Sequence, residues 1–288
     1  MCKNKGRKTV LTACSDGIGV ERKEEIQLLI EKLSQMGILA NVGECLYDRG
    51  DGHSGTPKER AQMLMKSYED VDNFCIFDVS GGNLANEILR YLDYNKIKEC
   101  KKPFVGYSDL TVILNAIYAK TGNPGVLYQV RNLLYADKIE QERYVKQEFI
   151  EQKPWKHNWT FYQGREMEGI VVGGNIRCFL KLAGTEYFPN LQDKLLLLEA
   201  RSGDVMLMLT YLNQLEQIGA FEKVAGVLLG TFSQLEKQSG KDKIMELILP
   251  FCKQREIPIA KTQHIGHGED AKGIWIGRKI KIKKTDFC

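Results

Sequence analysis

Three side chains of this 288-residue chain have the types needed for acyl transfer: Ser108, Glu199 and His267. A serine hydroxyl is a weak nucleophile until a base takes its proton, and the base must be held in one tautomer by a third group. Ser108 stands in the turn Gly106-Tyr107-Ser108-Asp109, directly after the apolar strand end Pro103-Phe104-Val105. From Leu110 the apolar residues recur at Ile113, Leu114 and Ile117, which is helical spacing. A strand, a tight turn and a helix present a hydroxyl at the carboxyl edge of a sheet, beside the free N–H groups of the first helical turn. The same pattern also allows Ser108 to be a helix N-cap, with Asp109 complementing the helix dipole. Leu110 occupies the place of the second glycine of G-x-S-x-G. Glu199 follows four leucines, Leu195–Leu198, and a carboxylate at the end of such a buried strand needs a partner. His267 lies between two glycines in the loop Gln263–Gly268, where a ring is free to serve as base. His264, in the same loop, is the second candidate. In a triad, Glu199 would accept the Nδ1 proton and Nε2 would serve Ser108.

Alternating strands and helices must position these groups. Thr9–Cys14 reads as a strand ending in Ser15-Asp16-Gly17, followed by a helix through Ile26, Leu29, Ile30 and Leu33. Ile38–Val42 is the second strand, and Thr56-Pro57-Lys58-Glu59 opens the next helix as a capping box. Asn73–Val79 is the third strand, entering Ser80-Gly81-Gly82-Asn83 and a helix through Leu84, Ile88 and Leu92. This half is expected to be a parallel sheet with helices on both faces, with ligands outside the carboxyl ends of its strands. Ser15, Gly81-Gly82 and Ser108 all gather there. The paired glycines lack the G-x-G-x-x-G spacing of a dinucleotide site, so their simplest use is to bring N–H groups close to a ligand carbonyl. Residues 136–166 are charged and aromatic without clear periodicity, and read as a linker or a lid. Beyond them, Gly169–Val172, Leu195–Leu198 and Val224–Thr231 read as strands, Val205–Ile218 and Lys241–Leu249 as helices. Ile280 and Ile282 alternate with Lys279, Lys281 and Lys283, as in an antiparallel strand with one wet face.

The composition excludes several classes. An apolar content of 43% with 27% charged residues is that of a globular protein, and 41 bases against 37 acids are too balanced for a nucleic-acid or membrane partner. No run approaches the length of a membrane span, and the first residues lack the apolar region of a signal peptide. Arg49-Gly50-Asp51 reads as a chance tripeptide. The eight cysteines are scattered, with Cys14 and Cys75 inside apolar strands. They read as reduced fillers of a cytoplasmic protein, with no zinc or other metal site.

Six segments, in order, carry a resemblance to a known family: SGGNLANEILRYLDY (80–94), KKPFVGYSDLTVILNAIYAKTG (101–122), GGNIRCFLKLAGTEYFPNL (173–191), LLLLEA (195–200), GVLLGTFS (226–233) and HIGHG (264–268). The chain resembles the LD-carboxypeptidases (peptidase family S66), which include the microcin C self-immunity serine peptidases. The resemblance implies an α/β fold. Residues 1–135 would form a flavodoxin- or Rossmann-like parallel-sheet domain carrying Ser108. Residues 167–288 would form a mixed α/β domain of β-barrel-like character carrying Glu199 and His267. It implies Ser108 as nucleophile, Glu199 and His267 as its partners, and an oxyanion hole from the N–H groups of Asp109 and Gly82. Gly81 and Asn83 would line the substrate, with Trp155 or Trp159 as an aromatic platform. No cofactor is implied, and a homodimer is. Two departures fall near the expected substrate: Ser80 replaces the basic residue often found before the glycines, and Tyr128-Gln129 replaces the usual Gly-Pro. The implied reaction is hydrolysis of the amide to the terminal D-alanine of muropeptide tetrapeptides through an acyl-enzyme. The microcin-type alternative cleaves peptidyl or aminoacyl-nucleotide amides. A catalytically silent peptide-binding protein would use the same cleft.

Overall fold

Five short apolar runs form the first sheet. The computed structural model describes residues 7–135 and 138–284; Cys2 and Cys288 therefore lie outside the described residues. Strands β1 (Arg7–Thr12), β2 (Ile38–Val42), β3 (Asn73–Asp78), β4 (Phe104–Gly106) and β5 (Gly125–Leu127) are parallel, in the order β5-β4-β3-β1-β2. Successive side chains of β3 go to opposite faces, as the pleat requires. Ile76 packs with the helices Pro57–Glu69 and Thr111–Thr121, and Phe77 with the helix Lys23–Gln35. The capping box expected at Thr56 is present: its Oγ accepts from the Glu59 N–H at 3.3 Å, and the Glu59 carboxylate accepts from the Thr56 N–H at 2.8 Å. The segment through Leu84 and Ile88 differs from expectation, forming a 3₁₀ helix over Ala85–Tyr91.

The second sheet contains β6 (Thr160–Gln163), β7 (Glu166–Asn175), β8 (Lys194–Ala200), β9 (Gly226–Phe232), β10 (Ile259–Lys261) and, at its far edge, Lys279–Lys283. Strands β7 to β10 run parallel, both edges are antiparallel, and the sheet curls into a half-barrel. The leucine run explains why β8 sits at its centre. Leu195 and Leu197 pack into the core shared with the first sheet, while Leu196 and Leu198 pack on the outer helices. The chain then returns. β11 (Ile274–Ile276) pairs antiparallel with β5 of the first sheet before β12 (Lys279–Lys283) rejoins the second. The C-terminal segment thus belongs to both sheets, because Ile274 and Ile276 bury their side chains against the first.

Within the segment expected to be a linker or a lid, residues 138–150 are helical. Lys138–Val145 is a helix that continues as a π-helical turn, Lys146–Ile150. Its buried Tyr144 lies 4.7 Å from the ring of Tyr128, and Phe149 lies 5.4 Å from that of Phe77. Aromatic packing against the first sheet gives this segment its structure. His157 follows, its Nε2–H donating to the Gly273 carbonyl at 3.0 Å, and burial holds its pKa down at about 4. The ring charges more readily in the unfolded chain, so its contribution to stability is intact above its ordinary pKa of 6.5 and is lost as pH falls toward 4. Urea unfolding of the parent should show stability declining across that window, and His157→Gln should flatten the decline. An unchanged slope in the variant would place the acid sensitivity elsewhere.

Candidate active site

Ser108 sits where β4 turns into a 3₁₀ turn, Ser108–Leu110, and then into the helix Thr111–Thr121. Its φ is +53°, a left-handed conformation that is costly for a residue with a side chain. The N-cap alternative is not what the structure shows: Tyr107 and Leu110 hold the cap positions, with no side-chain cap bond at either. The strain therefore serves something other than capping. Asp109, fully buried, accepts from the Ser15 hydroxyl at 2.8 Å, from the Ala85 N–H at 2.9 Å and from Lys181 Nζ. These bonds pin the turn from three separate segments.

Glu199 and His267 meet. His267 Nδ1 lies 2.7 Å from Glu199 Oε2, and both side chains are almost fully buried. Their approach depends on small residues that sequence reasoning passed over. A Cβ on Gly230 would lie 2.4 Å from the Ile265 carbonyl and 3.0 Å from Glu199 Cβ, so only glycine lets the histidine loop settle on β9 beside β8. The loop is then bonded there, Thr231 N–H to Ile265 O at 2.8 Å. Nε2 of His267 is buried and has no hydrogen-bond partner among the described residues. It lines one small pocket together with Ser108, Tyr107, Tyr128, Gln129 and Glu199. His264 is exposed and lines none of it.

The glycine loop reaches the same place. A Cβ on Gly81 would lie 3.7 Å from Ser108 Cβ and 3.5 Å from Tyr107 Oη. Gly82 has φ +127°, and a Cβ there would collide with the Asp16 carboxylate. The Gly82 carbonyl accepts from Arg177 at 2.9 Å, and the Asn83 N–H donates to Asp16 at 2.8 Å. Neither the Gly82 N–H nor the Asp109 N–H has a partner among the described residues. Asn83 is exposed and holds Arg177 through its side-chain oxygen.

Ser80, Trp155 and Trp159 do not line the pocket of Ser108. Ser80 is buried: its hydroxyl donates to Asp78 at 2.6 Å and accepts from the Ser15 N–H at 3.1 Å. Asp78 collects donors from Thr12, Cys14 and Ser80, and burial holds its carboxyl above the usual range. Ser80 is thus part of the loop scaffold, and only Tyr128-Gln129 of the two departures faces the pocket. Trp155 and Trp159 line a different and larger cavity that shares no lining residue with the pocket of Ser108. Their segment borders that cavity together with Gly273–Trp275.

Two polar residues that no motif flagged hold the parts in register. Arg60, fully buried, donates to the carbonyls of Gly55, Cys14 and Ser15 and pairs with Glu87, tying together the loops at the sheet's carboxyl edge. Asn115, on the helix after Ser108, accepts from the Gly173 N–H at 2.8 Å and donates to the Gly173 carbonyl at 2.9 Å. That double bond docks the serine-bearing helix on β7. Asn115→Ala would strand both Gly173 groups away from water and should cost about 3 kcal/mol of stability. Urea denaturation reads this directly, and a loss below about 1 kcal/mol would mean that the seam repacks.

Comparison with known proteins places the chain in a family. Residues 10–129 match the LD-carboxypeptidase N-terminal domain, and residues 168–282 match the LD-carboxypeptidase C-terminal domain. The chain belongs to the LD-carboxypeptidase family, peptidase family S66. It is similar to a putative carboxypeptidase of Treponema pallidum, 26% identical over 90% of this chain and 84% of that protein. It is equally similar to the microcin C7 self-immunity protein MccF of Escherichia coli, 26% identical over 88% of this chain and 83% of MccF. The solved structure of MccF with glutamyl sulfamoyl guanosine superposes with a TM-score of 0.86 at 22% identity, covering 97% of this chain and 93% of MccF. The muramoyltetrapeptide carboxypeptidase of Oxalobacter formigenes superposes at 0.78 with 20% identity, covering 96% and 95%. No helix among the described residues is long and apolar enough to cross a membrane.

Proposed function

We propose that the chain is a serine peptidase that hydrolyses the amide to the terminal D-alanine of muropeptide tetrapeptides. The observation that carries this reading is the Glu199–His267 bond of 2.7 Å, with the unpartnered Nε2 of His267 in the same pocket as a Ser108 held at φ +53°. Glu199 accepts the Nδ1 proton and fixes the tautomer, which puts the ring's lone pair on Nε2. Nε2 takes the Ser108 proton as Oγ attacks the scissile carbonyl, and the N–H groups of Gly82 and Asp109 meet the developing oxyanion. His267 then protonates the leaving amine, and water releases the acyl group by the same steps in reverse order. Gly81, without a side chain, leaves room for the substrate backbone over Ser108.

The similarity to MccF supports a second reading, hydrolysis of an aminoacyl-nucleotide amide by the same residues. Free D-alanine measured after incubation with a purified muropeptide tetrapeptide separates the two. Release supports the first. Cleavage of an aminoacyl sulfamoyl adenosine without D-alanine release supports the second, and a folded protein inert on both would refute the hydrolase reading.

A further inference from the structure

The cavity that holds Trp155 and Trp159 has a volume of about 860 Å³, within the range of ligand sites. Trp275 lines it too, so all three tryptophans of the chain stand on one wall system. Tryptophan is the side chain most enriched at the anchoring points of interfaces. The buried Glu148 holds two of them, accepting from the Trp155 N–H at 2.7 Å and from the Trp275 indole N–H.

The cavity also lies at the seam of the half-barrel. Thr160 and Phe161 of β6 border it on one side and the whole of β12 on the other, and these are the two edges of the same sheet. Among the described residues β6 pairs only with β10 and β12 only with β7, so each edge keeps a row of unpaired main-chain groups. His157 lines the cavity as well, its Nε2–H engaged by Gly273 and its Nδ1 buried without a partner among the described residues. The rim is basic, with Lys156, Arg278, Lys279, Lys281, Lys283 and Lys284 against Glu148 alone. Glu166 and Glu168 pair with three of these lysines from outside, but exposed pairs of this kind hold their partners weakly. Lysines along a strand edge repel indiscriminate pairing and admit a strand that carries acidic residues.

We propose that this cleft binds an acidic peptide segment in extended conformation, laid between the two sheet edges. Main-chain groups pair with the edges, apolar side chains pack on the tryptophans, and acidic side chains face the lysines. The site is separate from the pocket of Ser108 and does not depend on the hydrolase reading.

The tryptophans make the test direct, because indole emission from this chain reports on the cleft alone. A short synthetic peptide of alternating glutamate and valine, titrated into the full chain, should change that emission saturably. The apparent affinity should fall about tenfold between low and physiological salt. The double variant Lys281→Glu/Lys283→Glu should weaken binding at least about tenfold while leaving hydrolysis at Ser108 unchanged. Lys156→Glu, on an irregular stretch, repeats the test should the β12 changes disturb its pairing with β7. No response to the peptide, an equal response to an alternating lysine–valine peptide, or a response to adenosine monophosphate alone would overturn the proposal. So would emission that changes on simple dilution, which would mean that a second copy already fills the cleft.

Discussion

Ser108→Ala should lower the rate of D-alanine release by about five orders of magnitude and leave the fold intact. The size follows from what the hydroxyl does. Without Oγ there is no acyl-enzyme, and the reaction falls back on water in a site whose base and N–H donors remain. A residual rate above the uncatalysed one is therefore expected. The fold is spared because the Ser108 hydroxyl caps no helix and the turn is pinned through Asp109 instead. Alanine at φ +53° carries the strain that serine already carries. Circular dichroism and thermal melting should match the parent while kcat collapses, and a trapped covalent adduct seen by mass spectrometry in the parent should vanish. A variant within tenfold of the parent rate would remove Ser108 from the chemistry.

The parts of this site visible in the sequence are those written as abrupt changes of residue type. An acid after Leu195–Leu198 and a serine in a turn after Pro103-Phe104-Val105 are visible because a buried strand tolerates no polar residue except at its end. Those strands follow the same logic, and Ile38–Val42 has the bounds that its apolar run implies. Arg60 and Asn115 were not visible. Each is one polar residue within a helical pattern, and nothing local distinguishes a buried clamp from a solvated side chain. The return of Ile274–Ile276 to the first sheet was hidden for another reason. A strand of three residues states that it is buried, not which sheet it joins. The helix at Lys138–Val145 was missed because its stabilising contacts are aromatic and tertiary, from Tyr144 and the following Phe149 to Tyr128 and Phe77, and leave no clean period. Ser80 misled in the opposite direction. Its place before the glycines implied substrate contact, yet Asp78 draws it inward.

Glu199→Gln tests the other end of the constellation and should lower kcat about 10⁴-fold with KM little changed. The substitution keeps the shape of the side chain and removes its charge. A glutamine amide turned to donate at Nδ1 forces the ring proton onto Nε2, where it blocks the nitrogen that must accept from Ser108. With the amide oxygen turned in, the tautomer survives but the imidazolium formed in the transition state loses its counter-charge in a nearly dry site. Both orientations damage the step in which charge develops, and neither touches ground-state binding of the peptide. That is why the loss belongs in kcat. The alternative role for Glu199 is purely structural, a buried acid needing a partner, and it predicts the reverse pattern: a shift in thermal stability with near-parental turnover. His267→Ala separates the two further. If the pair serves catalysis, Glu199→Gln and His267→Ala together cost little more than His267→Ala alone, because an orienting group has nothing left to orient. Additive losses in that double variant would show the two residues acting independently and would break the triad apart.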